Sequence, residues 1–250
     1  MHSASARLAD RLYSRYAATR PHRSAPTCSR DLLSGREPTF RKRLAPLLPP
    51  DKHARILDLG CGYGEFLHFL RQQGYTETMG IDLDPQHVET ARGLGLENIY
   101  CANVLEFLPP AGDFDFISAL DVLEHFSKPD VLEVLELVRK ALRPGGRFLC
   151  KVPNLAAFHT PVFFMDFTHE TPFTATSLKQ ALELARFKDV TIYPMGPVAH
   201  GLKSAARLAL WKALELGLRA VQTIEGGPRD RLCSIFTTTI CATAERASKN

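Results

Sequence analysis

The chain has 250 residues, is 45% hydrophobic and 23% charged, and carries a formal net charge of +4. That is ordinary globular composition, enough for one large domain or one domain with a small appendage. Six cysteines at 28, 61, 101, 150, 233 and 241 form no C-x-x-C pair, which argues against a zinc knuckle or disulfide framework and for a reduced, cytoplasmic setting, and no apolar run approaches the roughly 18 residues that span a membrane.

The charge is uneven. Residues 1–50 hold ten basic side chains against Asp10, Asp31 and Glu37, a net of +7, and the remainder is −3. A basic helical arm is expected over 1–50, with Arg7, Arg11 and Arg15 on one face and Leu8 and Leu12 on another. It suits an anionic partner such as a nucleotide, a phosphoglycan or a membrane surface, and its Arg, Ser and Ala content also resembles a mitochondrial transit peptide.

From residue 51 strands and helices alternate. RILDLG (55–60) reads as a buried strand and EFLHFLRQQG (65–74) as a helix closed by Gly74. TMGIDLD (78–84) is a second strand, and Pro85 suits the first turn of the helix that follows. NIYCANV (98–104) and FDFISALDVL (114–123) are the third and fourth strands. A helix over 129–142, a turn at RPGG and a fifth strand over 147–154 come next. SLKQALELARF (177–187) is a helix, DVTIYPM (189–195) a sixth strand, and CSIFTTTICATAER (233–246) a long last strand. This alternation predicts a parallel sheet with helices on both faces.

Two stretches break it. Residues 155–176 form an aromatic insertion, and 196–231 contain an inserted helix over 203–221. On that helix Lys203, Arg207, Glu215 and Arg219 make a polar stripe and the other faces are apolar. It is expected as a lid or a dimer face, or as a contact for a lipid-linked substrate through its apolar surface and basic residues.

Gly60, Gly62 and Gly64 stand where the first strand hands over to its helix, at the edge where an open parallel sheet binds ligands. Glycines let a ligand approach the backbone, and the helix start offers N–H groups. The spacing is G-x-G-x-G, with Glu65 at the third glycine of the dinucleotide fingerprint, where it would repel a pyrophosphate. With Asp58 it makes an acidic rim, suited to a ligand carrying an ammonium or a sulfonium. Asp82 ends the second strand, where its carboxylate can accept from both hydroxyls of a ribose.

ILDLGCGYGEFL, GIDLDPQHV, CANVLEFLP, FDFISALDVLEHF and LRPGGRFLCKVPN, within about residues 53–155, resemble the successive motifs of the class I S-adenosylmethionine-dependent methyltransferases. The resemblance implies an α/β, Rossmann-like seven-stranded sheet with its last strand antiparallel, in a domain over 51–250. It implies S-adenosylmethionine held by Asp58, Gly60, Gly62, Asp82, Leu83, Asn103, Val104 and Asp121. Asn103 stands where the family more often has Asp.

Asp121, Glu124 and His125 follow the fourth strand at the glycine-loop edge. Two carboxylates and an imidazole one helical turn apart are a divalent-metal set, for Mg or Mn. DVLEHF resembles the E-x-x-E-H element of metal-dependent O-methyltransferases of ubiquinone biosynthesis and of the small-RNA 2′-hydroxyl, with Asp for the first Glu. The insertion adds His159, Asp166, His169 and Glu170, and His169 is the candidate general base or further ligand. DFTHETPFT resembles methyltransferases of bacterial sugar and polysaccharide assembly. The expected reaction is therefore O-methylation of a sugar hydroxyl, nucleotide-linked or in a glycan, in a plain or phosphorylated acceptor. The alternatives are a quinone-type or other small acceptor, an RNA 2′-hydroxyl (disfavoured by the −3 balance beyond residue 50), a cofactor-binding protein without turnover, and a nicotinamide oxidoreductase. No stable nucleic-acid partner is expected. Membrane contact is peripheral at most, and a homodimer is open.

Overall fold

The computed structural model describes residues 35–108, 113–158, 161–227 and 230–248. Most of the expected basic arm, with Arg7, Arg11 and Arg15, lies outside the described residues, as does His159. The part of the arm that is described comprises α1 (Glu37–Thr39) and the short helical turns Phe40–Leu44 and Ala45–Leu47.

Seven strands form one sheet: β1 (Ile56–Leu59), β2 (Thr78–Asp82), β3 (Ile99–Cys101), β4 (Phe114–Leu120), β5 (Leu142–Pro153), β6 (Lys188–Pro194) and β7 (Thr239–Glu245). Their order is β3-β2-β1-β4-β5-β7-β6. All the pairings are parallel except those of β7, which runs antiparallel to both β5 and β6. This is the expected Rossmann-like sheet with its antiparallel last strand.

Alternation along each strand divides the core between the two faces. Leu57, Leu59, Ile117, Phe148 and Ala242 pack with α5 (Lys128–Ala141) and α7 (Ala175–Leu184) on one face. Ile56, Phe116, Leu149 and Cys241 pack with α2 (Glu65–Gln72) and α3 (Pro85–Gly93) on the other. Phe40 of the N-terminal segment joins that second face, edge-on to Phe66 with ring centroids 5.3 Å apart. The helices begin where the sequence supplies caps. Asp84 accepts from the Gln86 N–H at 2.8 Å, Ser127 caps α5, and Thr174 with Ser177 forms a reciprocal capping box on α7.

Several boundaries differ from expectation: β3 is shorter than 98–104, and β5 begins at Leu142 and takes in the expected turn at RPGG. β4 stops at Leu120 rather than 123, because Asp121 takes a left-handed conformation (φ 62°) and a short helical turn, Leu123–His125, follows. The last strand begins at Thr239 rather than 233, since Asp230 caps a turn over Arg231–Ser234 and the carbonyls of Ile235 and Thr237 accept from the buried Asn154 amide. The inserted helix α8 runs longer, Leu202–Gly226. It leaves β6 at its carboxyl end and returns to the start of β7, and the 155–176 insertion leaves β5 at its carboxyl end. Both excursions therefore sit at the sheet edge that carries the glycine loop.

Candidate functional site

The turn after β1 has Gly60 (φ 61°), Gly62 (φ 54°) and Gly64 (φ 79°) all in the left-handed region. Their surroundings differ. A Cβ on Gly60 would come within 2.5 Å of Val122, and one on Gly64 within 2.3 Å of Leu96, whereas nothing lies within 4 Å at Gly62. Two of these glycines let the loop pack, and Gly62 leaves space for something else. The loop is tied to β2 by Asp82, whose Oδ2 accepts from the Gly62 N–H at 2.7 Å. Asp82 Oδ1 accepts from the Asp84 N–H at 2.9 Å and lies 3.1 Å from His87 Nδ1. A carboxylate oxygen accepts two hydrogen bonds, so Oδ1 is filled and Oδ2 has capacity for one more. That narrows the expectation that Asp82 takes both ribose hydroxyls.

A cavity of about 770 Å³ opens at this edge, bounded by Gly60, Gly62, Asp82, Asn103 and His125 among others, with Asp58, Leu83, Val104 and Asp121 also lining it. Its size is in the range of small-ligand pockets. A second cavity, of about 360 Å³, lies at the opposite edge by Thr78 and Asn98, away from the glycine loop. Asp58 is buried and faces Ser118 across the β1–β4 register, accepting from the Ser118 hydroxyl at 2.7 Å. Burial pushes its carboxyl up to about 7, the Ser118 hydroxyl pulls it down, and the Asp82 charge raises it further. A cationic ligand in the cavity would stabilise the carboxylate. Asn103 caps α4 (Val104–Phe107), its Oδ1 accepting from the Leu105 N–H at 3.0 Å.

The acid–histidine cluster forms at the rim of this cavity in a changed composition. Glu124, His125 and His169 bring ligand atoms within 4.8 Å of one another. Asp121 is not in the set, which corrects the expected four-residue arrangement. The left-handed turn at Asp121 separates it from the helical turn carrying Glu124 and His125, and its carboxylate bonds to the Lys151 ammonium and lies 3.4 Å from Arg36 Nη1. The insertion docks on the cluster through its backbone, because the N–H groups of Glu170 and Thr171 donate to the Glu124 carbonyl at 2.8 and 3.1 Å.

Both histidines are oriented by their Nδ1 atoms. His169 Nδ1 lies 2.7 Å from the Phe163 carbonyl, which can only accept, so Nδ1 carries the proton. The Thr168 hydroxyl donates to Asp166 Oδ1 at 2.6 Å and lies 2.8 Å from His125 Nδ1. Its single proton is committed to the carboxylate, so it accepts from His125, and Nδ1 again holds the hydrogen. In this tautomer the acceptor nitrogen of each ring is Nε2. The rings meet edge to face, centroids 4.7 Å apart, and His169 Nε2 lies 3.9 Å from Glu124 Oε1.

Sequence reasoning missed Arg36, Lys151 and Thr168. Arg36 lines the cavity and reaches both Glu65 (3.6 Å) and Asp121. Its partners lie 29 and 85 positions away, beyond any local pattern. Thr168 was detectable only as the one hydroxyl between Asp166 and His169.

A family model described as a methyltransferase domain matches residues 32–192. A ubiquinone biosynthesis O-methyltransferase of Xylella fastidiosa (strain 9a5c) is 38% identical over 118 residues, covering 44% of this chain and 46% of that protein. The namesake from Cereibacter sphaeroides (strain ATCC 17029 / ATH 2.4.9) is 34% identical over 115 residues, 44% of each chain. The chain thus spans less than half the length of the curated relatives it matches. Among solved structures, a SAM-dependent methyltransferase from Archaeoglobus fulgidus superposes with a TM-score of 0.61 at 20% identity, covering 86% of this chain and 96% of that one. Phosphoethanolamine N-methyltransferase 2 of Haemonchus contortus, in complex with S-adenosyl-L-methionine, gives 0.60 at 15% identity over 88% of this chain and 56% of that one. At these identities the structures share the fold.

Proposed function

As this chain belongs to the methyltransferase-domain family, we propose that it transfers a methyl group from S-adenosylmethionine to a hydroxyl of a small, ring-shaped acceptor of the phenol or quinol type. The observation that carries the cofactor reading is the cavity in which Asp82 holds the open glycine of the loop, beside the buried Asp58. The acceptor reading rests on the ubiquinone-biosynthesis relatives, and it displaces the sugar hydroxyl expected from the insertion motif. A glycan acceptor is the second reading, favoured by that motif alone.

The cofactor would lie across Gly60 and Gly62, its ribose against Asp82 Oδ2, its adenine toward Leu83, Asn103 and Val104, and its cationic end near Asp58. Bound there, S-adenosylmethionine would supply a methyl group on a sulfonium, which the acceptor oxygen would take in an in-line displacement with the carbon–sulfur electron pair going to sulfur. The hydroxyl proton passes to His125 Nε2, which the Thr168–Asp166 pair keeps as the acceptor nitrogen, while His169 and the buried Glu124 stand beside His125 behind the cavity lining.

Glu124, His125 and His169 also fit a divalent ion. With one carboxylate and two imidazoles the set suits Mn²⁺ or Zn²⁺ better than Mg²⁺. Such an ion lowers the pKa of a bound hydroxyl. His125 then serves as a ligand rather than a base, and the two roles are exclusive.

Labelled S-adenosylmethionine offered with a panel of catechols, quinols and nucleotide sugars, before and after chelation, tests both points. The expected result is label on the phenolic acceptors. Label on sugars alone overturns the acceptor reading, and full activity after chelation removes the metal.

A further inference from the structure

α8 turns Ser204, Leu208, Trp211, Glu215, Leu218 and Gln222 toward the body of the protein, a mixed polar and apolar face at helical spacing in which Ser204 and Glu215 are buried. Ser204 and Glu215 bond within the helix and its lead-in, and Gln222 ties it to the turn before the last strand. The Ser204 hydroxyl donates to the Gly201 carbonyl at 2.8 Å, Glu215 accepts from Lys212 and Arg219, and the Gln222 amide donates to the Cys233 carbonyl at 2.9 Å. The opposite arc is apolar and open to solvent, with Leu202 93%, Leu210 73%, Leu216 71%, Val221 63% and Ile224 85% exposed. At 100° per residue these side chains and the alanines between them occupy one uninterrupted stripe. Of the expected polar stripe, Glu215 turns inward and pairs with Arg219, while Lys203, Arg207 and Arg219 stay exposed at the borders of the apolar arc.

Basic residues border this arc on both sides, Lys203 and Arg207 along one rim and Lys212 and Arg219 along the other. The only exposed acid on the helix is Glu225, in its last turn. The 155–176 insertion adds apolar side chains at the same sheet edge, with Phe164 73% and Phe167 91% exposed. The two are joined through 233–237. Gln222 bonds to Cys233 and Ser234, Asn154 to Ile235 and Thr237, and the Phe158 N–H to the Phe236 carbonyl.

We propose that the outward arc of α8 docks on an anionic lipid surface, bringing the cavity edge to the bilayer. The rims decide the occupant. A second copy meeting this patch about a two-fold axis would bring each basic rim against its own copy, where Lys212 and Arg219 are paired with Glu215 and Lys203 and Arg207 have only Glu225 to offset them. An anionic bilayer satisfies the apolar stripe and both rims at once. No helix among the described residues is long and apolar enough to cross a membrane, so α8 lies in the surface plane.

Flotation of the full chain with phosphatidylglycerol and with phosphatidylcholine vesicles tests this. The protein should float with the anionic vesicles only, and binding should fall as salt rises. The exposed pair Leu210→Glu and Leu216→Glu should abolish flotation while circular dichroism and affinity for S-adenosylhomocysteine stay unchanged. Lys203→Gln with Arg207→Gln should weaken binding about fivefold per charge removed. Equal or absent flotation with both lipids overturns the proposal. So does a dimer in light scattering that the Leu210 and Leu216 changes dissolve. The cofactor titration is read separately, so failure here leaves the catalytic reading standing.

Discussion

Burial raises the Asp58 carboxyl to about 7, from an ordinary value of 3.8. A carboxyl held higher in the folded state than in the unfolded chain contributes stability below the unfolded value. That contribution is lost as pH rises between about 4 and 7, and amounts to about 4 kcal/mol over the window. S-Adenosylmethionine brings an ammonium and a sulfonium, and both favour the ionised form. Cofactor binding should therefore release a proton near neutrality, and affinity should fall by up to about tenfold per pH unit below about 7. Titrations in buffers of different ionisation enthalpy measure that proton, and Asp58→Asn should remove the pH dependence. A dissociation constant flat from pH 5 to 8 in the unaltered protein contradicts the assignment. Thr168 makes a second prediction at this scale. Thr168→Val removes the acceptor that holds the His125 proton on Nδ1, so kcat should drop by about ten- to a hundredfold and the pH–rate profile should move. Affinity for S-adenosylhomocysteine should stay the same, and an unchanged kcat would release Thr168 and His125 from the mechanism. Asp58, Asp82 and His125 were legible because each sits at a strand end whose place the β–α alternation fixes. The pairings of Asp121 were not, since Lys151 and Arg36 reach it from distant positions and turn it away from Glu124.

The strand-to-helix turn after β1 separates two duties that look identical in sequence. Gly64 opens α2 with φ 79° and has Leu96 2.3 Å from where a Cβ would stand, while Gly62 has open space. Gly64→Ala combines backbone strain with a clash in the core and should cost about 2–4 kcal/mol, lowering Tm by several degrees. Gly62→Ala meets only the strain, about 1–2 kcal/mol, and places a methyl group where the cofactor would approach. Thermal melts and cofactor titrations on both variants should show opposite rankings, with Gly64→Ala worse for stability and Gly62→Ala worse for affinity. Equal losses in both assays would contradict that division. Most elements were readable from periodicity and caps, because α5 and α7 bury a regular apolar face. The start of the last strand was misjudged because hydrogen bonds from Asn154 override the β-branched run before Thr239. The inserted helix was legible, and Leu208, Trp211, Leu218 and Gln222 set which face of it turns inward.

Among the described residues, the carboxyl edge of the sheet gathers the chain's main insertions. The glycine loop, Asp82, the Leu123–His125 turn, the 155–176 insertion and α8 all emerge there, and the N-terminal segment reaches over it with Phe40 and Arg36. Sequence alternation predicted the edge, and the insertion's backbone docking on Glu124 explains why His125 and His169 meet although 44 positions separate them. The fold thus places the Glu124–His125–His169 cluster beside a cavity sized for a nucleoside cofactor. The most direct test is calorimetric titration of the intact chain with S-adenosylhomocysteine, repeated on Asp82→Asn. One molecule bound per chain, with affinity weakened at least about tenfold by the substitution, is the predicted result. The absence of any binding heat from the unaltered protein, or an affinity indifferent to Asp82, would contradict it.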